Sequence, residues 1–174
     1  MYPNKVVMKK FTLILFLLIG LHSYGQNWTK ITLATTLSID FPSIPQIDTN
    51  DEIRIYFVSD STFAVAAVLL KNPVNMNEII KGSGLDEYYE GMTAGTLAAT
   101  KNSVLLKSSS ITLEDFPGCE IIFTGDLGEM TDVFSISRYF VIGDLTYTFT
   151  FRNFDEQVQN DLSRKFFNSV QLIK

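Results

Sequence analysis

Apolar and polar positions alternate along much of this chain, and the alternation predicts strands. In TLSIDFP, Leu37, Ile39 and Phe41 interleave with Thr36, Ser38 and Asp40, and Pro42, which cannot donate to a ladder, closes the run. EIRIYFVSDSTFAVAAVLL reads as two strands around the turn SDST. SVLLKSSSITL and GCEIIFTG follow as two more. DVFSISRYFVIGDLTYTFTFRNF reads as a hairpin whose two-residue turn, Gly143-Asp144, suits the twist of its flanking strands. NSVQLI is a short closing strand.

Helical spacing shows in two places. From residue 85 to about 100, Leu85, Tyr88 or Tyr89, Met92 and Leu97 or Ala99 recur every three or four residues. Gly91 and Gly95 work against this helix, each by about 1 kcal/mol relative to Ala. A second helix is expected from Asp155, a good N-cap, with Val158, Leu162 and Phe166 as its apolar stripe. Long strands with few helices predict an α+β domain built on an antiparallel β-sheet.

The N-terminus departs from this pattern. Lys5, Lys9 and Lys10 precede an apolar run over residues 11–21, and Ser23 and Gly25 occupy the −3 and −1 positions of a cleavage site. That is the layout of a secretory signal peptide, too short to anchor in a bilayer. The expected organisation is a signal peptide over residues 1–25 and a single domain over 26–174, exported to the periplasm or beyond, with no membrane span after cleavage. Losing three lysines and no acid would move the net charge from −5 to −8. Such a chain offers little to nucleic acid or to an anionic membrane surface.

Composition narrows the chemistry further. The one histidine, His22, lies in the expected leader, so the exported chain would lack Ser-His-Asp and Cys-His catalysis and histidine-containing metal sites. Three carboxylate groupings remain. Glu114 and Asp115 could form an acid–base pair if they converged in a cleft with raised pKa values, and exposure of both would exclude that. DTNDE (Asp48, Asp51, Glu52) begins like a calcium loop, but Ile53 stands where the glycine belongs and Ser59 where the bidentate Glu belongs, so it reads as a solvated turn. DEYYE (Asp86, Glu87, Glu90) reads as the opening turn of a helix, where acids favour the dipole. No catalytic residue, cofactor or metal ligand is expected.

Four residues deserve placement. Cys119 is the single cysteine and cannot form an internal disulfide. Pro117-Gly118 is expected to make a turn after which Cys119, Ile121 and Phe123 face one side of a strand and Glu120 the other; Cys119 then reads as a packed core residue rather than a nucleophile. Arg138 falls mid-strand in the apolar stripe Phe134, Ile136, Phe140 and Ile142, where an unpaired charge would be costly. A register opposing Ile122 to Ile136 would set Glu120 against Arg138 as a structural ion pair. Tyr88 and Tyr89 are adjacent, so both cannot face the core fully; with Asp86, Glu87 and Glu90 they form the candidate partner-binding patch. Asn27-Trp28-Thr29 matches a glycosylation sequon, a weak signal.

The order of motifs resembles the bacterial members of the PsbP-like superfamily. A strand ends in Phe41-Pro42; Pro117, Gly118 and Glu120 match a PG-x-E strand start; Arg138, Phe140, Gly143 and Tyr147 match the hairpin; and Phe166, Phe167 and Ser169 match the final helix. The hairpin aromatic is displaced and Val170 replaces a terminal Phe. The resemblance implies an antiparallel sheet with helices packed on both faces, an α/β/α sandwich, and no catalytic set to carry over. Better-known members are binding or accessory proteins, namely an extrinsic photosystem subunit and an import factor that binds a small GTPase. The leader, ending YGQ, resembles those of Gram-negative bacteria. The expected function is an exported, non-enzymatic accessory module acting through contacts with an unidentified envelope protein. The alternative is a small-molecule or lipid carrier, which would need an unbroken apolar cavity of about 300 Å3 or more between helix and sheet.

Overall fold

The computed structural model of the chain describes residues 28–72, 84–154 and 159–173. The expected signal peptide, Asn27 of the sequon, Asp155 and Val158 lie outside the described residues. Two antiparallel sheets are formed. β1 (Thr29–Leu33), β2 (Leu37–Phe41) and β10 (Gln171–Leu172) make a small sheet in the order β1-β2-β10. The large sheet runs β3-β4-β5-β9-β8-β7-β6, from β3 (Gln46–Thr49), β4 (Ile53–Ser59), β5 (Phe63–Lys71), β6 (Lys101–Leu113), β7 (Phe116–Asp126), β8 (Phe134–Ile142) and β9 (Leu145–Asn153). Two helices are described, α1 (Gly84–Ala98) and α2 (Gln159–Asn168).

Turn chemistry sets the strand pairing. Ile142 pairs with Leu145 around Gly143-Asp144, and Gly143 takes φ +64°, a left-handed conformation that costs glycine nothing. Between β4 and β5, Asp60 Oδ1 accepts from Thr62 N (2.6 Å), Thr62 Oγ1 (2.8 Å) and Phe63 N (3.0 Å), closing an Asx turn. Partial desolvation raises the Asp60 pKa, but these bonds outweigh it and the net shift is downward.

The β6–β7 turn is not where Pro-Gly suggested. Leu113 pairs with Phe116, so Glu114 and Asp115 make the reversal, with Glu114 at φ +50°. Pro117 and Gly118 lie inside β7. The glycine serves close packing instead: a Cβ on Gly118 would sit 2.5 Å from the Phe140 ring and 2.6 Å from the Tyr139 carbonyl.

Strand alternation divides the core in two. Phe63, Val65, Ala67 and Leu69 of β5, Phe140 and Ile142 of β8, and Tyr147, Phe149 and Phe151 of β9 point to one face. There they meet Leu37, Ile39 and Phe41 of β2 and Phe166, Phe167 and Val170 at the α2 end. On the other face Cys119, Ile121 and Phe123 of β7 and Tyr139 and Val141 of β8 pack against Tyr89, with Leu85, Tyr88, Met92 and Leu97 of α1 around them. The architecture is α+β and mainly antiparallel, but the expected layers of helices over a single sheet are realised only in part. One face is covered chiefly by the small sheet with one helix, because the alternating run 37–41 and the chain end pair with each other rather than joining the large sheet.

Candidate functional site

α1 is held to the sheet by tyrosine hydroxyls. β7 and β8 pair directly as far as Gly118 opposite Phe140. One residue further, the Tyr89 hydroxyl inserts between the strands, donating to the Pro117 carbonyl (2.9 Å) and accepting from Val141 N (3.1 Å). Tyr89 is 5% exposed. It is therefore a core clamp: of the two adjacent tyrosines, of which only one could face the core fully, this one points at the sheet and Tyr88 is the half-buried one. Burial pushes its pKa up to about 12, against the opposing hydrogen bond from Val141 N. Tyr88 is half-buried, its hydroxyl 2.7 Å from Thr146 Oγ1 and 3.3 Å from Asn72 Oδ1. Tyr139 donates to Thr96 Oγ1 at 2.9 Å.

Beyond this clamp the helix and sheet part to leave a cleft of about 660 Å3, open to solvent. Its helix wall is Leu85, Asp86, Tyr89, Glu90, Thr93, Ala94 and Leu97. Its sheet wall is Leu105 and Ser108 to Ser110 of β6 with Pro117, Gly118 and Cys119 of β7. Cys119 is a buried free thiol 3.7 Å from Ser108 Oγ. Asp86, Glu87 and Glu90 are exposed, and among the described residues none of them is ion-paired. β6 forms the sheet edge here, and Val104, Leu105 and Leu106 are 55%, 42% and 55% exposed.

The remaining sequence candidates lie elsewhere. Glu120 stands opposite Arg138, and Arg138 Nε donates to Glu120 Oε2 at 2.7 Å. The guanidinium also lies over the Phe167 ring, 4.4 Å from its centroid. The pair belongs to the α2 side of the sheet, away from the cleft. Glu114 and Asp115 are both exposed at their turn, so they form no acid–base pair in a cleft. In the DTNDE segment Asn50 Oδ1 accepts from the N–H groups of Glu52 (2.9 Å) and Ile53 (2.7 Å), a hydrogen-bonded turn. Among the described residues no group of three or more potential ligand side chains could hold a metal ion, and no helix is long and apolar enough to cross a membrane.

Sequence reasoning missed the β6 wall. Its signal was the apolar run Val104-Leu105-Leu106 in a segment otherwise made of lysine, asparagine and serine; three consecutive apolar residues cannot all face inward on a strand.

No protein-family model matches the chain. No curated protein matches it either. Among solved structures, cyanobacterial PsbP from Synechocystis sp. PCC 6803 superposes with a TM-score of 0.61 at 8% identity, covering 85% of this chain and 94% of that one. The chain therefore has a PsbP-like fold. A protein of unknown function from Pseudomonas aeruginosa, PA94, is 12% identical over 72% of this chain and 82% of its own, at a TM-score of 0.45, too low to bear on the argument.

Proposed function

We propose that this chain is an exported, non-enzymatic accessory module that acts through protein–protein contacts in the cell envelope, using the surface formed by α1 and β6. The observation that carries this reading is the conjunction of exposed Leu105 with the exposed carboxylates Asp86 and Glu90 around one cleft, with Val104 and Leu106 exposed beside Leu105 on the edge strand and Glu87 exposed on α1. Apolar residues rimmed by charge mark a contact surface more often than a reaction centre. Export rests on the leader-like N-terminus alone. Capture of partners by the tagged chain from its own envelope extract tests the reading. A reproducible partner, lost on Asp86→Lys/Glu87→Lys/Glu90→Lys, supports it; a partner retained by that variant removes this surface from consideration.

The cleft also gives the carrier reading a specific location between helix and sheet. Its wall of serines, a threonine and two acids suits an amphiphilic cation better than a lipid tail. A small molecule that copurifies with the chain and is released on denaturation would favour this second reading.

A further inference from the structure

We propose that β6 receives an extended, basic segment of the partner protein as an added strand, with the cationic side chains of its α1-facing positions meeting Asp86 and Glu90 across the cleft. This rests on the interaction-module reading and specifies its geometry. The two edges of the large sheet differ in what they offer. β3 has four residues, whereas β6 has thirteen. Natural edge strands are commonly blunted by lysine, proline or bulges. In β6 those devices are confined to the first half: Lys101, Lys107 and two register slips, between Lys101 and Val104 and between Leu105 and Lys107. From Ser108 to Leu113 the pairing with β7 is uninterrupted, and the segment holds neither charge nor proline. Among the described residues its other side pairs with no strand.

Charge selects the occupant. Asp86 and Glu90 share the cleft with Leu105 and Ser108 to Ser110, so a strand laid along β6 passes the carboxylates. A second copy of this acidic chain would bring the same carboxylates against themselves, and like charges at an interface are costly. An extended basic segment satisfies both walls: its backbone completes the ladder and its cations answer the helix.

The probe is a ten-residue peptide alternating Val with Lys. Its controls are the same peptide with Glu for Lys and the Lys peptide N-methylated on alternate amides, each titrated into the chain from residue 26 onward with amide hydrogen exchange as readout. The proposal expects the Lys peptide to bind and to slow exchange at residues 108–113 by roughly tenfold or more, about 1.4 kcal/mol of protection. Both controls should fail to do so, and Glu90→Lys should weaken binding by roughly tenfold. Binding that depends on the acids but leaves residues 108–113 exchanging as before overturns strand addition while sparing the interaction module. No binding of the Lys peptide at millimolar concentration, or protection of β6 on concentrating the protein alone, also overturns it.

Discussion

The two faces of the large sheet are built by different chemistry. The face toward α2 is closed by aromatic packing: Phe41 meets Phe166 edge-on at 5.7 Å between centroids, and Phe63 stacks on Phe151 at 6.1 Å. The face toward α1 combines a smaller apolar cluster with directional bonds from the hydroxyls of Tyr88, Tyr89 and Tyr139, and opens into a cleft at the sheet edge. Hydrophobic burial is non-directional and scales with the apolar area removed from water, so large aromatic side chains suit a face that holds the fold. Directional bonds position a helix and leave its outer side free. On the proposed reading, stability rests mainly on one face and recognition on the other, and substitutions on both faces test that division.

The largest effect is expected at Phe166, fully buried where α2 meets β2. Phe166→Ala should cost about 3–5 kcal/mol in urea denaturation, as large aromatic truncations in closed cores do. Leu97→Ala, at a half-buried position beside the cleft, should cost about 1 kcal/mol, because that site can relax toward solvent. Equal losses would mean that the α1 face is as closed as the other.

Next comes the charged group within the aromatic face. Arg138 and Glu120 retain 29% and 15% of their side-chain exposure. Glu120→Leu should cost about 2 kcal/mol, below the value for a fully buried pair, by leaving the guanidinium without its acceptor. The double change Glu120→Leu/Arg138→Met should recover most of that loss. A double variant no better than the single one would show that the cation–π contact with Phe167, rather than the pair, is what matters.

These contrasts were unequally legible in the sequence. The β8–β9 hairpin could be read because alternation and a Gly-Asp turn specify the same register, and a β7–β8 register opposing Ile122 to Ile136 made Glu120 the natural answer to Arg138. The small sheet was hidden as a sheet: β2 and the closing strand were legible singly, but β1 was not read, and the pairing of all three is decided by distant contacts. The Pro-Gly pair misled because glycine's lack of a side chain serves a close approach as well as a turn, and only the position of the Phe140 ring distinguishes these uses. The cleft was unreadable for a topological reason. SVLLKSSSITL reads as a strand whether it is central or at an edge, and its place beside β7 alone is decided by pairings over the whole sheet.

The hydroxyl joint should be sensitive to alkali. The pKa of Tyr89 is raised to about 12 by burial, above the ordinary value of 10.0. A raised folded-state value means stability that is full below pH 10 and is lost as the pH climbs toward 12, because the unfolded state releases its proton first. Tyr139 and Tyr147 are shifted in the same direction. Tyr89→Phe should cost about 1–2 kcal/mol at pH 8, since Val141 N–H and the Pro117 carbonyl lose their shared partner. It should also flatten the fall of the urea midpoint between pH 9 and pH 11. An unchanged pH profile would place the alkaline sensitivity with Tyr139 and Tyr147 rather than with Tyr89.

The smallest effect on stability is expected where the effect on recognition is greatest. Glu90→Lys and Leu106→Lys alter exposed side chains, so each should leave the urea midpoint within about 0.5 kcal/mol of the parent. Leu106→Lys would even add a further charge to the edge, a change that usually protects a strand from unwanted pairing. Loss of a captured partner in these two variants, with melting unchanged, would separate the recognition surface from the fold. If either variant unfolds the chain, the exposed apolar residues of β6 are supporting the structure, and the division of labour between the two faces fails at this edge.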